Sequence, residues 1–308
     1  MAFTAADVKA LREKTGVGMM DCKKALTEAD GDMDRAIDVL REKGLAASAK
    51  KAGRIAAEGI VLAYTDEAKK VSVLVEVNSE TDFVAKNEKF VNYVTAVAKT
   101  IADTNPADVD ELLAKPLAGD TRTVQENLQD MVLSIGENMK IRRFERVEGI
   151  TTSYIHGGGS VGVLVMFDTD DKTAATDAFK VMGKDVAMQI AAMSPAYLDE
   201  ASVPADVLAH EKEITKAQLA EDPKMAGKPE QVLAKIVDGK IVKYFKENCL
   251  LDQAFVKDGD MNVAKYVASV AKELGADIRV TGFIRYAKGE GLEKREDDFA
   301  AEVASMMK

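Results

Sequence analysis

Side chains able to catalyse a reaction are scarce in this sequence. The two histidines, His156 and His210, lie far apart, so a catalytic dyad or a histidine-rich metal site would have to be completed by carboxylates. The two cysteines, Cys22 and Cys249, are also far apart, and neither belongs to a CxxC pair. This pattern favours neither a zinc site nor a disulfide framework. We therefore predict a chain that is not an enzyme, has no catalytic residues and holds no metal or cofactor.

Two patterns resemble ligand-binding motifs, but the residues around them rule out those motifs. Residues 157–162 (GGGSVG) fit the dinucleotide pattern GxGxxG, but they precede a predicted strand, whereas that fingerprint must open a helix. Asp30, Asp32 and Asp34 have the first spacing of a calcium loop, but Arg35 stands where the loop needs glycine. These carboxylates are better suited to a helix start. The phosphate-loop pattern GxxxxGK[ST] is absent, so we expect no nucleotide to bind this chain directly.

Two segments have a composition that favours a functional role. In the first, Thr81–Asn87 (TDFVAKN), an acidic and a large aromatic side chain are adjacent after a predicted strand. Either Thr81 or Asp82 caps a helical turn while Phe83 packs inward, or Asp82 and Phe83 act on a partner. In the second, Tyr154–His156 precedes three glycines, which indicates either a flexible hairpin turn with an incidental histidine or a contact site.

The composition is that of a globular protein with two or three folding units. The chain has 308 residues, of which 47% are hydrophobic and 31% charged. Its formal net charge of -10 disfavours general binding to nucleic acid. The basic stretch 140–146 could contact RNA phosphates, but its interleaved apolar residues favour one polar face of a strand. Without a long apolar run or a signal-peptide pattern, we expect a cytoplasmic protein that binds neither membrane nor nucleic acid directly.

Helix signals dominate the first part of the chain. Thr4 and Asp7 have capping-box spacing, a second helix is predicted from about Met19 to Ala29, and a third from Asp32 to a stop at Gly44. We assign residues 1–45 to a three-helix domain and residues 46–58 to a linker that is helical at least in part.

A strand, strand, helix pattern then occurs twice. The first copy has predicted strands at Ile60–Tyr64 and Val71–Val77 and a helix from about Glu88 to Ala102. Its apolar pattern recurs 90 residues later in the strands and 89 residues later in the helix, which indicates an internal duplication. Between the copies, residues 121–138 are a predicted helix that leads into residues 139–147. We therefore predict an α+β fold whose core has two related subdomains with antiparallel sheets, at 59–148 and 149–286.

The second subdomain carries a predicted insertion. Residues 202–249 have two apolar helical stripes separated by a turn, which predicts a helical hairpin. A helix at Val263–Leu274, a strand at Ile278–Tyr286 and a terminal helix at 298–307 follow, and residues 287–308 form a predicted C-terminal helical module. Three methionines of the second-copy helix are expected to fill the core, although methionine also suits adaptable interfaces; they are Met182, Met188 and Met193.

The sequence resembles the elongation factor Ts family of bacteria over essentially its full length. The resemblance lies in several separate runs: Leu11–Leu26, Thr81–Asn87, Gly136–Asn138 with Arg142 and Arg143, Tyr154–Leu164, Asp185–Ala192, Cys249–Asp258 and Thr281–Arg285. It implies that the three-helix domain is similar to a ubiquitin-associated domain. It also implies a guanine nucleotide exchange factor that binds elongation factor Tu in its GDP-bound and nucleotide-free states and promotes GDP release.

Site residues follow from the same resemblance. Thr81, Asp82, Phe83 and Val84 match the family segment that dislodges the partner's Mg²⁺, and the expected secondary contacts are His156, Met19, Met20 and Met188. The alternative is a helical-domain adaptor that tethers a partner without affecting its nucleotide. The sequence leaves open whether the protein is monomeric, a homodimer or part of a 2:2 complex.

Overall fold

The computed structural model describes residues 3–223, 225 and 228–293. Within these residues the fold mixes α-helices with small β-sheets, as the predicted α+β class requires. The chain divides into two compact units. Of the described residues, the first unit comprises 3–147, Ile155–Gly162 and 286–293, and the second comprises Glu148–Tyr154 and those within Val163–Arg285.

Three helices open the first unit: α1 (Ala5–Thr15), α2 (Met19–Glu28) and α3 (Met33–Lys51). The predicted capping box forms at the start of α1, where Thr4 and Asp7 satisfy each other's backbone N–H groups. These helices bury one apolar cluster, whose fully buried members include Leu11, Cys22, Ala25, Leu26 and Ala36.

The prediction that α3 stops at Gly44 is wrong, because the helix continues to Lys51. Gly44 is buried, and a methyl group at its Cα would lie 3.6 Å from the carbonyl oxygen of Gln129. A glycine inside a helix costs about 0.5–1 kcal/mol relative to alanine. A methyl group at this distance would still make an ordinary contact, so it is the burial of α3 against a neighbouring helix, and not the absence of a side chain, that overrides the local stop signal. Residues 46–51 of the predicted linker are accordingly helical.

The first sheet has the strand order β1-β2-β3, with β1 at Glu58–Asp66, β2 at Val71–Ser79 and β3 at Met139–Glu148. The strands β1 and β2 form the predicted antiparallel hairpin. Helix α5 (Glu88–Thr104) packs on it through the predicted apolar stripe, and all four of its members are buried: Phe90, Val94, Val97 and Ile101.

Three further helices belong to this region: α4 (Asp82–Ala85), α6 (Val109–Ala114) and α7 (Val124–Ile135). Helix α6 is only six residues long and was not predicted, because so short a segment has no clear period. Helix α7 is shorter than the predicted 121–138, since Thr123 caps its start and Gly136, at φ +90°, ends it.

The second sheet has the order β4-β5-β8, formed by Ile150–His156, Val161–Asp168 and Arg279–Ala287. Helices α8 (Asp171–Ala174) and α9 (Asp177–Met193) follow β5 as α4 and α5 follow β2. Helices α5 and α9 both have 17 residues. The residues after them, Asn105 and Ser194, are both left-handed, with φ of +45° and +47°.

The second unit also contains the predicted helical hairpin, formed by α10 (Ala205–Glu221) and α11 (Glu230–Asn248). Its small apolar core includes Leu219, Val237 and Ile241. A two-stranded sheet, β6 (Ala254–Phe255) with β7 (Asp258–Asn262), precedes α12 at Val263–Leu274. The helix predicted at 298–307 lies outside the described residues. In the described part of the chain, no helix has the length and apolar character to cross a bilayer.

Candidate partner-binding site

The one-turn helix α4 presents its aromatic side chain to solvent. Phe83 is 78% exposed, more than any other large hydrophobic residue in the described part of the chain, whereas Val84 is 4% exposed and belongs to the core of the first unit. Thr81 occupies the position before the helix, but Phe83 does not pack inward, so the alternative with a buried Phe83 is wrong. An exposed phenylalanine on a fixed turn loses apolar burial that folding could have supplied, which is typical of a binding surface.

Two hydrogen bonds fix the start of α4. The backbone N–H of Thr81 donates to Oε2 of Glu137 over 2.9 Å, and the Thr81 hydroxyl donates to Oε1 of the same carboxylate over 2.6 Å. The hydroxyl therefore does not cap its own helix. In addition, the Ser79 hydroxyl donates to the Thr81 carbonyl oxygen over 2.9 Å. These contacts set the backbone that leads directly into Asp82.

The carboxylate of Glu80 makes the reverse contact, from the segment of Thr81 to the segment of Glu137. Oε1 of Glu80 accepts the backbone N–H of Asn138 over 2.6 Å, and it also accepts from the Arg54 guanidinium over 3.4 Å. The Asn138 side-chain amide donates to the Arg54 carbonyl oxygen over 2.8 Å. Each of the two chain segments thus offers a carboxylate to a backbone N–H of the other. We refer to Glu80, Thr81, Glu137 and Asn138 as the clasp.

The other end of α4 runs directly into α5. The N–H groups of Lys86 and Asn87 donate to the carbonyl oxygens of Phe83 and Val84 over 3.2 and 2.9 Å. The Asn87 side chain then accepts the N–H of Lys89 over 3.0 Å and caps α5. The turn that carries Phe83 is therefore held at both ends by structured elements.

The carboxylate of Asp82 makes a loose ion pair with Lys86. Asp82 Oδ2 lies 3.5 Å from Nζ of Lys86, and the two side chains are 55% and 79% exposed. Exposed pairs of this kind contribute about 0–1 kcal/mol, because water screens the attraction and ordering long side chains costs entropy. Asp82 can therefore exchange this partner for another charged group at little energetic cost.

Two exposed methionines lie at the start of α2, in the same unit as Phe83. Met19 is 44% exposed and Met20 is 62% exposed. The loop before them is linked to the first turn of α5, because Nζ of Lys89 donates to the Gly16 carbonyl oxygen over 3.4 Å.

The glycine turn after His156 is packed against β1. The His156 carbonyl oxygen accepts the N–H groups of Gly159 and Ser160 over 3.2 and 3.0 Å, and the Gly159 carbonyl oxygen accepts the N–H of Val61 over 2.8 Å. A methyl group at Gly159, where φ is +101°, would lie 3.0 Å from Cβ of Ile60. The exposed His156 therefore stands at the start of a turn that makes defined contacts with β1, and its role as a contact residue stays a prediction.

The methionines of α9 belong to the second unit and differ from one another. Met182 is fully buried, Met188 is half-buried and Met193 is 49% exposed. The expectation of core packing therefore holds for Met182 and fails for Met193.

The rejected motifs behave as ordinary structure. Residues 157–162 form a turn that leads into β5, and Asp32 caps α3 by accepting the N–H of Arg35 over 2.9 Å. In the described part of the chain, no three His, Cys, Asp or Glu side chains are grouped so that they could hold a metal ion.

A buried carboxylate in β2 was not singled out from the sequence. Glu76 is fully buried and accepts from Arg142 Nη1 over 3.0 Å, from Arg143 Nε over 2.6 Å and from the Gly289 backbone N–H over 2.7 Å. Burial raises its pKa, but the hydrogen bonds from Gly289, Asn78 and the two arginines outweigh burial and hold that pKa below the ordinary value. Arg142 and Arg143 lie in β3, as predicted for this basic stretch, and both pair with the buried carboxylate of Glu76 within the first unit.

The clasp residues Glu80 and Glu137 were also missed as a pair. They are 57 positions apart in the sequence, and no motif spacing connects them. The only available signal was that Glu137 lies in a run that resembles the family.

Comparison with known proteins identifies the family. A family model described as Elongation factor TS matches residues 80–290. Elongation factor Ts of Clostridium perfringens (strain 13 / Type A) is 53% identical over 307 residues, covering 99% of both chains. The Clostridium kluyveri protein (strain NBRC 12016) of the same name is 52% identical over 305 residues, with 98% of this chain and 97% of the relative covered. That of Clostridium novyi (strain NT) is 49% identical over 308 residues, with 99% and 98% covered. With matches of this extent to both the model and the relatives, the chain belongs to the elongation factor Ts family.

Proposed function

We propose that this chain is the guanine nucleotide exchange factor for elongation factor Tu. It binds elongation factor Tu in its GDP-bound form, promotes GDP release and leaves the nucleotide-free partner ready to bind GTP during translation elongation. The observation that carries the residue-level proposal is Phe83, a large apolar side chain exposed on a turn that is fixed at both ends.

Each residue of the exchange segment has a different role in this proposal; the segment consists of Thr81, Asp82, Phe83 and Val84. Phe83 enters an apolar pocket of the partner as a wedge, and Asp82 disturbs the polar surroundings of the partner's Mg²⁺. A GTPase holds its nucleotide through a phosphate loop and this metal, so a disturbance at the metal weakens the whole site. Thr81 and the buried Val84 anchor the segment on its own protein.

One side chain supplies only part of the effect. Burial of a phenylalanine is worth roughly 1.5–3 kcal/mol, which corresponds to about one to two powers of ten in rate. A thousandfold acceleration requires about 4 kcal/mol. We therefore assign supporting contacts to Met19, Met20, His156 and Met188, within an interface of at least about 1,200 Å². Because linkage is reciprocal, the nucleotide that rebinds weakens the complex and releases the factor.

The domain organisation proposed for this role follows the sequence. Residues 1–45 form the ubiquitin-associated-like domain, 46–58 the linker, 59–148 and 149–286 the two related subdomains, and 287–308 the C-terminal module. The helical domain and the first subdomain hold the GTPase domain of elongation factor Tu, and the second subdomain contacts another domain of that partner. We place this function in the cytoplasm.

The test is the release of a fluorescent GDP analogue from elongation factor Tu, followed by stopped flow. We expect strong acceleration by the wild-type chain and a large loss with Phe83→Ala. As a control, Val242→Ala truncates another exposed apolar side chain, on the helical hairpin, at 50% exposure, and should leave the rate unchanged. If the wild-type chain binds elongation factor Tu but leaves GDP release unchanged, the chain is a tethering adaptor and the exchange proposal is wrong.

The role of Asp82 is tested by varying Mg²⁺. Asp82→Asn keeps the side-chain shape but removes the charge, so it should slow GDP release when Mg²⁺ is present. When a chelator removes the metal, the variant and the wild type should release GDP at similar rates. An equal deficit with and without Mg²⁺ would show that Asp82 acts elsewhere.

A further inference from the structure

The clasp joins two distant parts of the first unit by reciprocal contacts. Glu137 accepts the backbone N–H of Thr81, while Glu80 accepts the backbone N–H of Asn138, over 2.9 and 2.6 Å. Hydrogen bonds from N–H groups to carboxylates are shorter and stronger than those between neutral groups. The 2.6 Å bond from the Thr81 hydroxyl to Glu137 adds a third contact of the same kind.

The position of the clasp matters because α4 has little stability of its own. A helix of four residues makes too few internal hydrogen bonds to offset the cost of its nucleation. Its orientation must therefore come from its ends and from the anchor Val84. Thr81 is the residue immediately before Asp82, so Glu137 controls the direction in which the exchange segment leaves the sheet.

We propose that Glu137 is a positioning residue for nucleotide exchange: its carboxylate fixes Thr81 and thereby holds Asp82 and Phe83 in the orientation that acts on the partner. This inference rests on the proposed exchange function. Glu137 does not need to contact the partner, because a preorganised segment lowers the entropy that is lost when Phe83 is bound.

The experiment compares Glu137→Ala with wild type in the GDP-release assay over a range of exchange-factor concentrations. We expect the maximal rate at saturation to fall about tenfold, which corresponds to about 1.4 kcal/mol. The concentration that gives half of that rate should change little, because the rest of the interface is intact. Glu137→Gln retains one acceptor oxygen for the Thr81 hydroxyl and should give an intermediate rate.

A matched control separates positioning from a general loss of structure. Glu111 also accepts a backbone N–H, that of Ala107 over 2.8 Å, at the start of a short helix of the same unit. Glu111→Ala should therefore lose comparable stability in thermal unfolding but retain the wild-type exchange rate. If Glu137→Ala does not fold, Thr81→Val provides the test, since it removes only the hydroxyl contact and should also lower the maximal rate.

A double variant decides whether Glu137 acts through Phe83. If it does, Glu137→Ala should reduce the maximal rate much less in a Phe83→Ala background than in the wild type. Full and independent effects would overturn the positioning role, as would a Glu137→Ala protein that exchanges at the wild-type rate. Failure of the wild-type chain to accelerate GDP release would instead overturn the proposed function itself.

Discussion

Phe83 and Val84 are consecutive residues that face opposite environments, the first 78% exposed and the second 4% exposed. In a helical turn, neighbouring side chains point about 100° apart, so a single turn at the edge of a core can direct one outward and the next inward. Val84 fixes α4 to the core, and Phe83 projects from the same turn.

This relationship predicts that mutation can separate an effect on stability, at Val84, from an effect on exchange, at Phe83. Val84→Ala should lower the free energy of unfolding by about 1–3 kcal/mol, since it removes buried methyl groups. Phe83→Ala should change that energy by no more than about 0.5 kcal/mol but should slow GDP release about 10- to 100-fold. Urea unfolding and stopped-flow release measure the two effects. A Phe83→Ala protein that is destabilised as much as Val84→Ala would contradict the exposed position.

Glu76 should be among the most sensitive positions of the first unit. Glu76→Gln leaves Arg142 and Arg143, which are 21% and 31% exposed, without their shared carboxylate. Removing one partner of a buried ion pair typically costs about 3–5 kcal/mol. Urea unfolding at pH 7 should show a loss in this range, while Glu13→Gln, at an exposed pair, should be nearly neutral. A neutral Glu76→Gln would mean that the arginines are stabilised by other contacts.

The same carboxylate makes stability depend on pH in a defined direction. Its pKa in the folded chain lies below the ordinary 4.5. The unfolded chain therefore binds a proton first as the pH falls, and the stability contributed by Glu76 is complete above about pH 4.5 and is lost as the pH falls through the folded pKa. The difference between wild type and Glu76→Gln should thus be largest near pH 7 and shrink in acid. A difference that is constant from pH 7 to pH 3 would exclude this linkage.

Gly59 and Gly149 occupy corresponding positions in the predicted duplication and share a positive φ, +109° and +107°, but their surroundings differ. A methyl group at Gly59 would lie 2.1 Å from the Val77 carbonyl oxygen, whereas no described atom lies within 4 Å of one at Gly149. Gly149→Ala should cost only the backbone strain, about 1–2 kcal/mol. Gly59→Ala should cost about 3 kcal/mol or more, because a backbone clash is added. Equal losses in thermal unfolding would argue against the close approach at Gly59.

Gly44 should tolerate alanine. A methyl group there makes an ordinary contact, 3.6 Å from the Gln129 carbonyl oxygen, and alanine favours the helix by about 0.5–1 kcal/mol. The free energy of unfolding should therefore rise by about this amount with Gly44→Ala. It should fall with Gly44→Leu, because the larger side chain would clash with α7. Destabilisation by alanine itself would mean that the helices are packed more closely than described.

The order of helices and strands was largely predictable from local patterns. The apolar stripe of α5 and the cap at Thr4 were identified from spacing alone, because a helical period and a capping box both depend on residues close together in the sequence. The stripe consists of Phe90, Val94, Val97 and Ile101. The end of α3 could not be predicted from local patterns, because Gly44 signals a stop locally and only the packing of α3 against α7 reverses that signal.

The exposure of Phe83 at the candidate site could not be predicted from the sequence, and neither could the contacts that hold its turn. The adjacency of Asp82 and Phe83 indicated a functional segment, yet the choice between an inward and an outward Phe83 depends on Val84 filling the core instead. Glu137 could not be assigned a role, because its contact with Thr81 spans 56 residues and exists only after the sheet and α7 have formed. Tertiary contacts of this kind leave no local periodicity to detect.

The link between Glu76 and Gly289 has a consequence for synthesis of the chain. The two residues are 213 positions apart in the chain. At a translation rate of about 5–20 residues per second, the carboxylate leaves the ribosome roughly 10–40 s before its backbone partner. The contact between Glu76 and Gly289 therefore cannot form until the residues of the second unit have been synthesised. A chain that terminates before Gly289 would release a first unit whose buried carboxylate lacks one of its donors.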